Sequence, residues 1–125
     1  MIAVAGAAGA LCRHGVGTWV AAKLAGAGTV AGVPWGTLAV NVVGSFLLGF
    51  IGGLCLTGDR VPVTWRPALT TGFLGSFTTF STFSVETVRL FEQGAWTAAA
   101  VNLALQLALG LGAAAAGLAA GRAAG

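Results

Sequence analysis

Hydroxyl groups and aromatic rings are closely mixed in one apolar part of the chain. The stretch SFTTFSTFS, from Ser76 to Ser84, contains six hydroxyl side chains and three phenylalanines. A hydroxyl group donates a hydrogen bond, and the hydrogen atoms at the edge of an aromatic ring carry partial positive charge. A small, strongly hydrated anion needs such donors in close succession when it leaves water. This composition therefore favours an anion pathway.

Amide and hydroxyl side chains recur at helical spacing in two further apolar stretches. Thr37 and Asn41 are four residues apart, so they share one face of a helix, and Ser45 continues that row. Asn102 and Gln106 repeat the spacing near the C-terminus. An amide NH₂ group donates to an anion, although polar residues in membrane helices also hold neighbouring helices together. The spacing leaves both roles open for Asn41.

Ionisable side chains are scarce in these stretches. A cation channel or a proton-coupled carrier is expected to hold Asp or Glu at membrane depth. The only acid nearby is Glu86, which lies towards the end of its segment. Arg13, in the first segment, could supply a positive field at a vestibule, or it could extend to the membrane surface along its aliphatic stem. A pathway of uncharged donors favours a small anion as the substrate.

Long charge-free runs predict the elements that position these residues. Of the 125 residues, 57% are hydrophobic and 7% are charged, whereas soluble domains have about 25% charged residues. Three runs contain no charged residue: 35–58, 67–85 and 93–121. Each approaches the ~20 residues that cross a bilayer as a helix. Residues 2–22 are also long enough, although Arg13 and His14 interrupt them.

These runs predict an all-α membrane protein that forms one domain over residues 1–125. We predict four transmembrane helices, at roughly residues 2–25, 35–57, 66–91 and 95–121. No basic residue precedes the first apolar run, so the N-terminal segment lacks the features of a cleaved signal peptide. We expect it to be a retained helix.

Several functional classes are disfavoured by composition. The six cationic residues are dispersed, whereas a nucleic-acid-binding protein clusters them on one face. Cys12 and Cys55 are isolated and do not have the spacing of metal ligands, and His14 is the only histidine. With no paired acids at depth, we expect neither an enzyme nor a nucleic-acid-binding protein.

The hydroxyl-rich stretch is a poor continuous helix. A continuous helix would place Phe73, Phe77 and Phe80 on one face and spread the hydroxyl groups over the others, some towards lipid. An isolated strand cannot exist in hydrocarbon, because its backbone groups would be unpaired. We therefore predict a helix broken near residues 75–82, whose free backbone groups face protein or water. The alternative is a helix in which Phe packs and Ser and Thr bond to the preceding turn.

The loop charges do not fix one orientation in the membrane. With four helices, one side holds three cationic residues (Arg60, Arg66, Arg122) and the other side holds two (Lys23, Arg89). Such a balance arises by chance in short loops, or it marks a chain that inserts both ways and assembles as an antiparallel pair. Two small-residue pairs, Gly49/Gly53 and Gly117/Gly121, would allow helices to associate closely. Four helices scarcely enclose a polar pathway, so a transport function favours a dimer.

Three ordered motifs resemble the Fluc (CrcB-type) family of fluoride channels. The first helix contains Gly-Ala-x-x-Arg, which ends at Arg13. The second contains Gly-Thr-Leu-x-Val-Asn-x-x-Gly-Ser-Phe from Gly36, and the third contains Gly-Phe-Leu-Gly-x-x-Thr-Thr-Phe-Ser-Thr-Phe-Ser from Gly72. The resemblance covers the whole chain. It implies passive, fluoride-selective conduction out of the cytoplasm, across the bacterial plasma (inner) membrane, which protects the cell from fluoride.

The resemblance also implies an assembly and a set of site residues. The channel is expected to be an antiparallel, dual-topology homodimer with two pores. Phe80 and Phe83 are expected to contact fluoride through their ring edges, and Asn41 to line the pore. Hydroxyl donors are expected from Thr37, Ser81 and Thr82, and Arg13 is expected near a vestibule.

A sodium ion is the one cofactor that the resemblance implies. It would be structural and would lie at the dimer interface, bound by the backbone carbonyls of Gly75 and Thr78 from both subunits. Oxygen ligands suit a hard cation of this kind. Two positions depart from the family pattern, because the fourth helix offers Asn102 and Gln106 rather than a track of hydroxyls, and His14 replaces an aromatic residue.

Two other functions fit parts of the sequence. A small, dual-topology, proton-coupled exporter also has four helices, but that family places a glutamate in its first helix, and this first helix has none. A membrane assembly protein would use the polar residues only to join helices. It would show no fluoride flux, and Phe80→Ile or Phe83→Ile would affect only its assembly.

Overall fold

The computed structural model describes residues 1–125 and consists of helices, with no strands. Three helices are continuous: α1 (Ile2–Leu24), α2 (Trp35–Thr57) and α5 (Trp96–Ala124). The third apolar segment forms two shorter helices. In α3, the π-helical residues Ala68–Leu74 lead into one α-helical turn, Gly75–Phe77, and α4 follows as Phe80–Glu92. The chain therefore has four helical segments, of which the third is in two pieces.

The third segment is interrupted at two consecutive threonines. Thr78 has φ −85° and ψ 158°, and Thr79 has φ −152° and ψ 107°, so both are extended. α3 ends before them and α4 begins directly after them. The interruption lies inside the hydroxyl-rich stretch, where the sequence predicts it.

Glycines join α2 and α5 along their length. A Cβ atom on Gly117 would lie 2.9 Å from the Phe46 carbonyl carbon, and one on Gly53 would lie 2.8 Å from the Cα atom of Gly121. A Cβ atom on Gly49 would lie 3.0 Å from the Leu118 nitrogen. The close helix packing predicted at these glycine pairs is confirmed, because backbones approach closely where side chains are absent. Both pairs pack inside one chain, so they do not support association between copies.

α1 packs against α3 and α2 in the same way. A Cβ atom on Gly9 would lie 3.0 Å from the carbonyl carbon of Phe73 in α3, and one on Gly36 in α2 would lie 2.9 Å from the carbonyl carbon of Gly17. Close backbone contact on both sides fixes α1 beside the first half of the broken segment and beside the start of α2.

Most apolar side chains remain on the surface of the single chain. Only 20 of the 125 residues are buried, and the exposed apolar residues include large ones such as Leu11, Trp19, Leu56 and Leu111. α2 and α5 are long and apolar enough to cross a membrane, and only 22% and 6% of their most apolar windows are buried. An apolar surface this extensive requires lipid or another protein surface to cover it.

Candidate functional site

Asn41 pairs with the backbone at the interruption. The Thr79 N–H group donates to Asn41 Oδ1 at 2.7 Å, and Asn41 Nδ2 donates to the Thr79 carbonyl oxygen at 3.0 Å. One side-chain amide thus satisfies both main-chain groups of a residue that belongs to neither α3 nor α4. Such groups are costly to leave unpaired inside a protein.

The Thr79 hydroxyl group caps the start of α4. Its Oγ1 atom accepts from the Thr82 N–H group at 3.2 Å and donates to Thr82 Oγ1 at 2.9 Å. It also lies 3.4 Å from Ser81 Oγ. Threonine at this position stabilises a helix by pairing one of the free N–H groups of its first turn. Because the Thr82 hydroxyl accepts from Thr79, its own hydrogen stays available, and the side chains of Ser81 and Thr82 are exposed.

Two backbone carbonyl groups are left free by these pairings. In an unbroken α-helix, the N–H groups of Thr79 and Thr82 would donate to the carbonyls four residues earlier, those of Gly75 and Thr78. Here the first N–H donates to Asn41 and the second to Thr79 Oγ1. Neither carbonyl accepts from a side chain or from any of the loop and cap N–H groups of the chain. These two residues are the pair that the family resemblance implies as ligands of a sodium ion.

Phe80 and Phe83 form an edge-to-face pair on α4. Their ring centroids are 5.5 Å apart and their planes meet at 61°. Phe83 is 8% exposed and packs within the chain, whereas Phe80 is 79% exposed. The pair therefore joins the interior of one chain to a surface that the single chain does not cover.

Thr37 and Glu86 meet across α2 and α4. The Thr37 hydroxyl donates to Glu86 Oε1 at 3.0 Å, so its hydrogen is committed to the carboxylate. The second carboxylate oxygen, Oε2, is buried and has no hydrogen-bond partner. The sequence left Glu86 without a role and predicted Thr37 as an anion donor. The structure places the two side chains in one hydrogen bond.

A cavity of about 960 Å³ lies between α1, the loop that follows it, α2 and the start of α4. Its polar lining combines Arg13 and His14 of α1 with Thr37, Thr82 and Glu86. It thus brings together three of the residues that the sequence predicts for the vestibule and the pore. The other predicted residues lie outside its lining: Asn41, Gly75, Thr78, Phe80, Ser81 and Phe83.

The two amides of α5 occupy different environments. Gln106 Oε1 accepts from Asn41 Nδ2 at 3.2 Å, and Gln106 Nε2 is buried without a partner. Asn102 is fully buried and donates to Thr87 Oγ1 at 2.9 Å, which in turn donates to the Phe83 carbonyl at 2.7 Å. Gln106 therefore belongs to the site at the interruption, whereas Asn102 braces α4 from within the bundle.

Sequence reasoning missed Thr79 and Gln106 as members of the site. Thr79 lies within the hydroxyl-rich stretch, and Ser or Thr three residues before the exposed N–H of a new helix is the usual signal of a cap. The spacing of Gln106 from Asn102 indicates that both amides lie on one face of a helix. It does not indicate that Gln106 contacts Asn41 on α2.

The long apolar helices and the exposed apolar surface of this four-segment bundle are those of a membrane protein. The sequence matches the family described as CrcB-like protein, Camphor Resistance (CrcB), over residues 1–118. The chain belongs to this family, and the resemblance found in the motifs is confirmed.

Several named relatives are similar to this protein over most of the chain. A protein of Symbiobacterium thermophilum named fluoride-specific ion channel FluC 2 is 46% identical over 104 residues, which are 83% of this chain and 80% of the relative. Proteins named fluoride-specific ion channel FluC are 50% identical over 104 residues in Syntrophotalea carbinolica, covering 83% and 80%, and 49% identical over 102 residues in Geobacter metallireducens, covering 82% and 78%.

Proposed function

We propose that this chain forms a passive, fluoride-selective channel that carries fluoride out of a bacterial cell across its plasma membrane. The observation that carries the proposal is the first turn of α4 after the interruption, which holds both the hydroxyl groups of Ser81 and Thr82 and the ring pair of Phe80 and Phe83. The names of the relatives, which describe fluoride-specific ion channels rather than enzymes, support the same function.

The proposed pathway uses the donors that the protein does not itself consume. The Thr82 hydroxyl hydrogen is free, and the Ser81 hydroxyl is exposed beside it. Phe80 and Phe83 add ring edges with partial positive charge. Fluoride is small and strongly hydrated, so it needs several such donors in close succession. The cavity with Arg13 in its lining serves as the vestibule, where a positive charge raises the local concentration of an anion.

The pathway requires a second copy of the chain. Phe80 is 79% exposed on the single chain, and Val85 and Val88 on the same helix are 51% and 54% exposed. A lone chain therefore supplies only one wall of a pore. We propose an antiparallel homodimer, in which each copy completes the wall of the other and two pores result. The near-equal loop charges on the two sides of the membrane support insertion in both orientations.

The free carbonyls of Gly75 and Thr78 suit a structural sodium ion between the two copies. They are oxygen ligands whose helical N–H donors pair elsewhere, and oxygen is the ligand type that a hard cation prefers. Two carbonyls from each copy give four in the dimer. When bound, sodium would neutralise the partial negative charge of these oxygens and tie the two interruptions together.

Passive conduction is sufficient for export. Hydrofluoric acid crosses membranes uncharged and ionises in the less acidic cytoplasm, where the anion is trapped. A membrane potential that is negative inside drives an anion outwards with about 2.3 kcal/mol per 100 mV for each charge. No coupled ion is needed for this export.

The test is ion efflux from proteoliposomes that contain the purified protein. With the potential clamped by potassium and valinomycin, we expect rapid fluoride efflux and no chloride efflux. Equal chloride efflux would contradict selectivity, and efflux that requires a proton gradient would identify an exporter. A protein that is folded and reconstituted but carries no ion would instead be the membrane assembly protein.

A further inference from the structure

The amide of Asn41 is fully occupied by the protein. Its two N–H hydrogens point to the Thr79 carbonyl at 3.0 Å and to Gln106 Oε1 at 3.2 Å, and its oxygen accepts from the Thr79 N–H at 2.7 Å. A side-chain amide can bind an anion only through its N–H groups, and an amide NH₂ group has two hydrogens. In this arrangement Asn41 has none left for fluoride.

We propose that Asn41 is a positioning residue that holds the helix interruption open, rather than a group that hydrogen-bonds fluoride. This inference rests on the proposed function, since it reassigns one residue of the proposed pore. It also makes Asn41 the residue that frees the Gly75 carbonyl, because it takes the N–H group that this carbonyl would otherwise accept.

The orientation of the amide follows from its partners. The Thr79 N–H group needs an acceptor and the Thr79 carbonyl needs a donor, so the oxygen and the nitrogen of Asn41 can each face only one of them. Gln106 then presents an acceptor to the second hydrogen of the nitrogen. All three contacts agree with a single orientation of the Asn41 amide. In the reversed orientation, Asn41 would lose both hydrogen bonds to Thr79.

Without the clamp, the Thr79 N–H group would lose its acceptor. Its helical alternative is the carbonyl of Gly75, which it could reach only if Thr78 and Thr79 left their extended conformations, so the N–H group would be exposed to water for most of the time. The backbone that leads into Phe80 would then no longer be held in one direction. A side chain on α2, 38 positions earlier in the sequence, thus determines the geometry at the start of α4.

Amide hydrogen exchange tests the clamp directly. Exchange of the Thr79 amide is followed by ¹⁵N NMR on the full chain in detergent, in buffer without sodium or fluoride, so the result does not depend on conduction. In Asn41→Ala we expect the Thr79 amide to exchange about fivefold or more faster than in the wild type, as befits one lost hydrogen bond. Amides in the middle of α2 and α5 should change much less.

Asn102→Ala is the matched control. It also removes a side-chain amide that bonds α4, but one that bonds Thr87 and not the interruption. We expect it to leave Thr79 exchange unchanged relative to the neighbouring helices. Unchanged Thr79 exchange in Asn41→Ala, or equal acceleration of all amides in both variants, would overturn the proposal.

A measurement on the wild-type protein keeps the proposal testable if Asn41→Ala does not fold. The side-chain NH₂ hydrogens of Asn41 should exchange slowly, at a rate that excess sodium fluoride does not alter. A fluoride-dependent rate at these hydrogens would mean that the amide leaves Thr79 to bind the anion, and the clamp would be wrong. Fluoride efflux by the wild type, measured separately, tests the channel itself.

Discussion

Removal of the Thr79 hydroxyl group should destabilise the start of α4 by a calculable amount. Thr79→Val keeps the shape of this 9% exposed side chain but deletes the oxygen that accepts from the Thr82 N–H and donates to the Thr82 hydroxyl. Loss of a helix cap costs about 1 kcal/mol, and one further hydrogen bond contributes about 1 kcal/mol. We expect a decrease of about 2 kcal/mol in the free energy of unfolding, which is roughly a thirtyfold change in the unfolding equilibrium constant.

The assay is unfolding in mixed detergent micelles with increasing sodium dodecyl sulfate, followed by the fluorescence of the four tryptophans. All variants are compared at one protein concentration, because association alters apparent stability. Thr79→Ser is the control, since it retains the oxygen and loses only a methyl group. A Thr79→Val protein within about 0.5 kcal/mol of the wild type, below the effect of an ordinary cap, would refute the capping role. A serine variant as unstable as the valine variant would refute it too.

Two further predictions concern α2 and the exposed ring. Thr37→Val deletes the only hydrogen bond to the carboxylate of Glu86, so we expect a loss of about 2 kcal/mol, typical of a bond to a charged group. In the same unfolding assay Thr18→Val, which loses bonds only to carbonyls of its own helix, should stay within about 0.5 kcal/mol of the wild type, as expected for an exposed position. Phe80→Ile changes an exposed side chain, so it should leave the free energy of unfolding unchanged. It should reduce fluoride efflux about tenfold or more, which corresponds to about 1.4 kcal/mol in the conduction barrier. Normal efflux in this variant would show that the ring edge of Phe80 is not part of the pathway.

Local chemistry explains which parts of the fold were predictable. A run without charge such as 35–58 has few alternatives to a membrane helix, and α2 occupies Trp35–Thr57. The hydroxyl-rich stretch predicted an interruption because neither a continuous helix nor a strand suits it, and the extended residues are Thr78 and Thr79. Local chemistry does not determine how deep the interruption lies in the membrane or how two copies pair, and we propose both.

Long-range pairing explains what could not be predicted. Asn102 and Gln106 have the spacing of Thr37 and Asn41, yet only Gln106 reaches the interruption. Which amide meets which partner depends on how α5 is rotated against α2 and α4, and no local pattern records that rotation. The glycine pairs of α2 and α5 show the same limit, because a small-residue pair predicts close packing but does not identify the partner helix.

The hydroxyl hydrogens of the site show a second limit of sequence reasoning. The family resemblance implies hydroxyl donors at Thr37 and Thr82 and a pore-lining amide at Asn41, and each of these side chains carries an O–H or N–H group. In the structure Thr37 donates to Glu86 and Asn41 to Thr79 and Gln106, whereas the hydrogen of Thr82 is free. Whether a donor is available depends on its other partners, so a list of polar residues overstates the lining of a pore.

The most direct test of the central claim is fluoride efflux from proteoliposomes, compared with chloride efflux and repeated with Asn41→Asp. We expect the wild type to release fluoride and retain chloride without a proton gradient. Asn41→Asp should abolish fluoride efflux, because its carboxylate faces the Thr79 carbonyl and the Gln106 oxygen and adds a negative charge beside the pathway. Equal release of chloride by the wild type would contradict the channel, and undiminished fluoride efflux by Asn41→Asp would exclude Asn41 from the site.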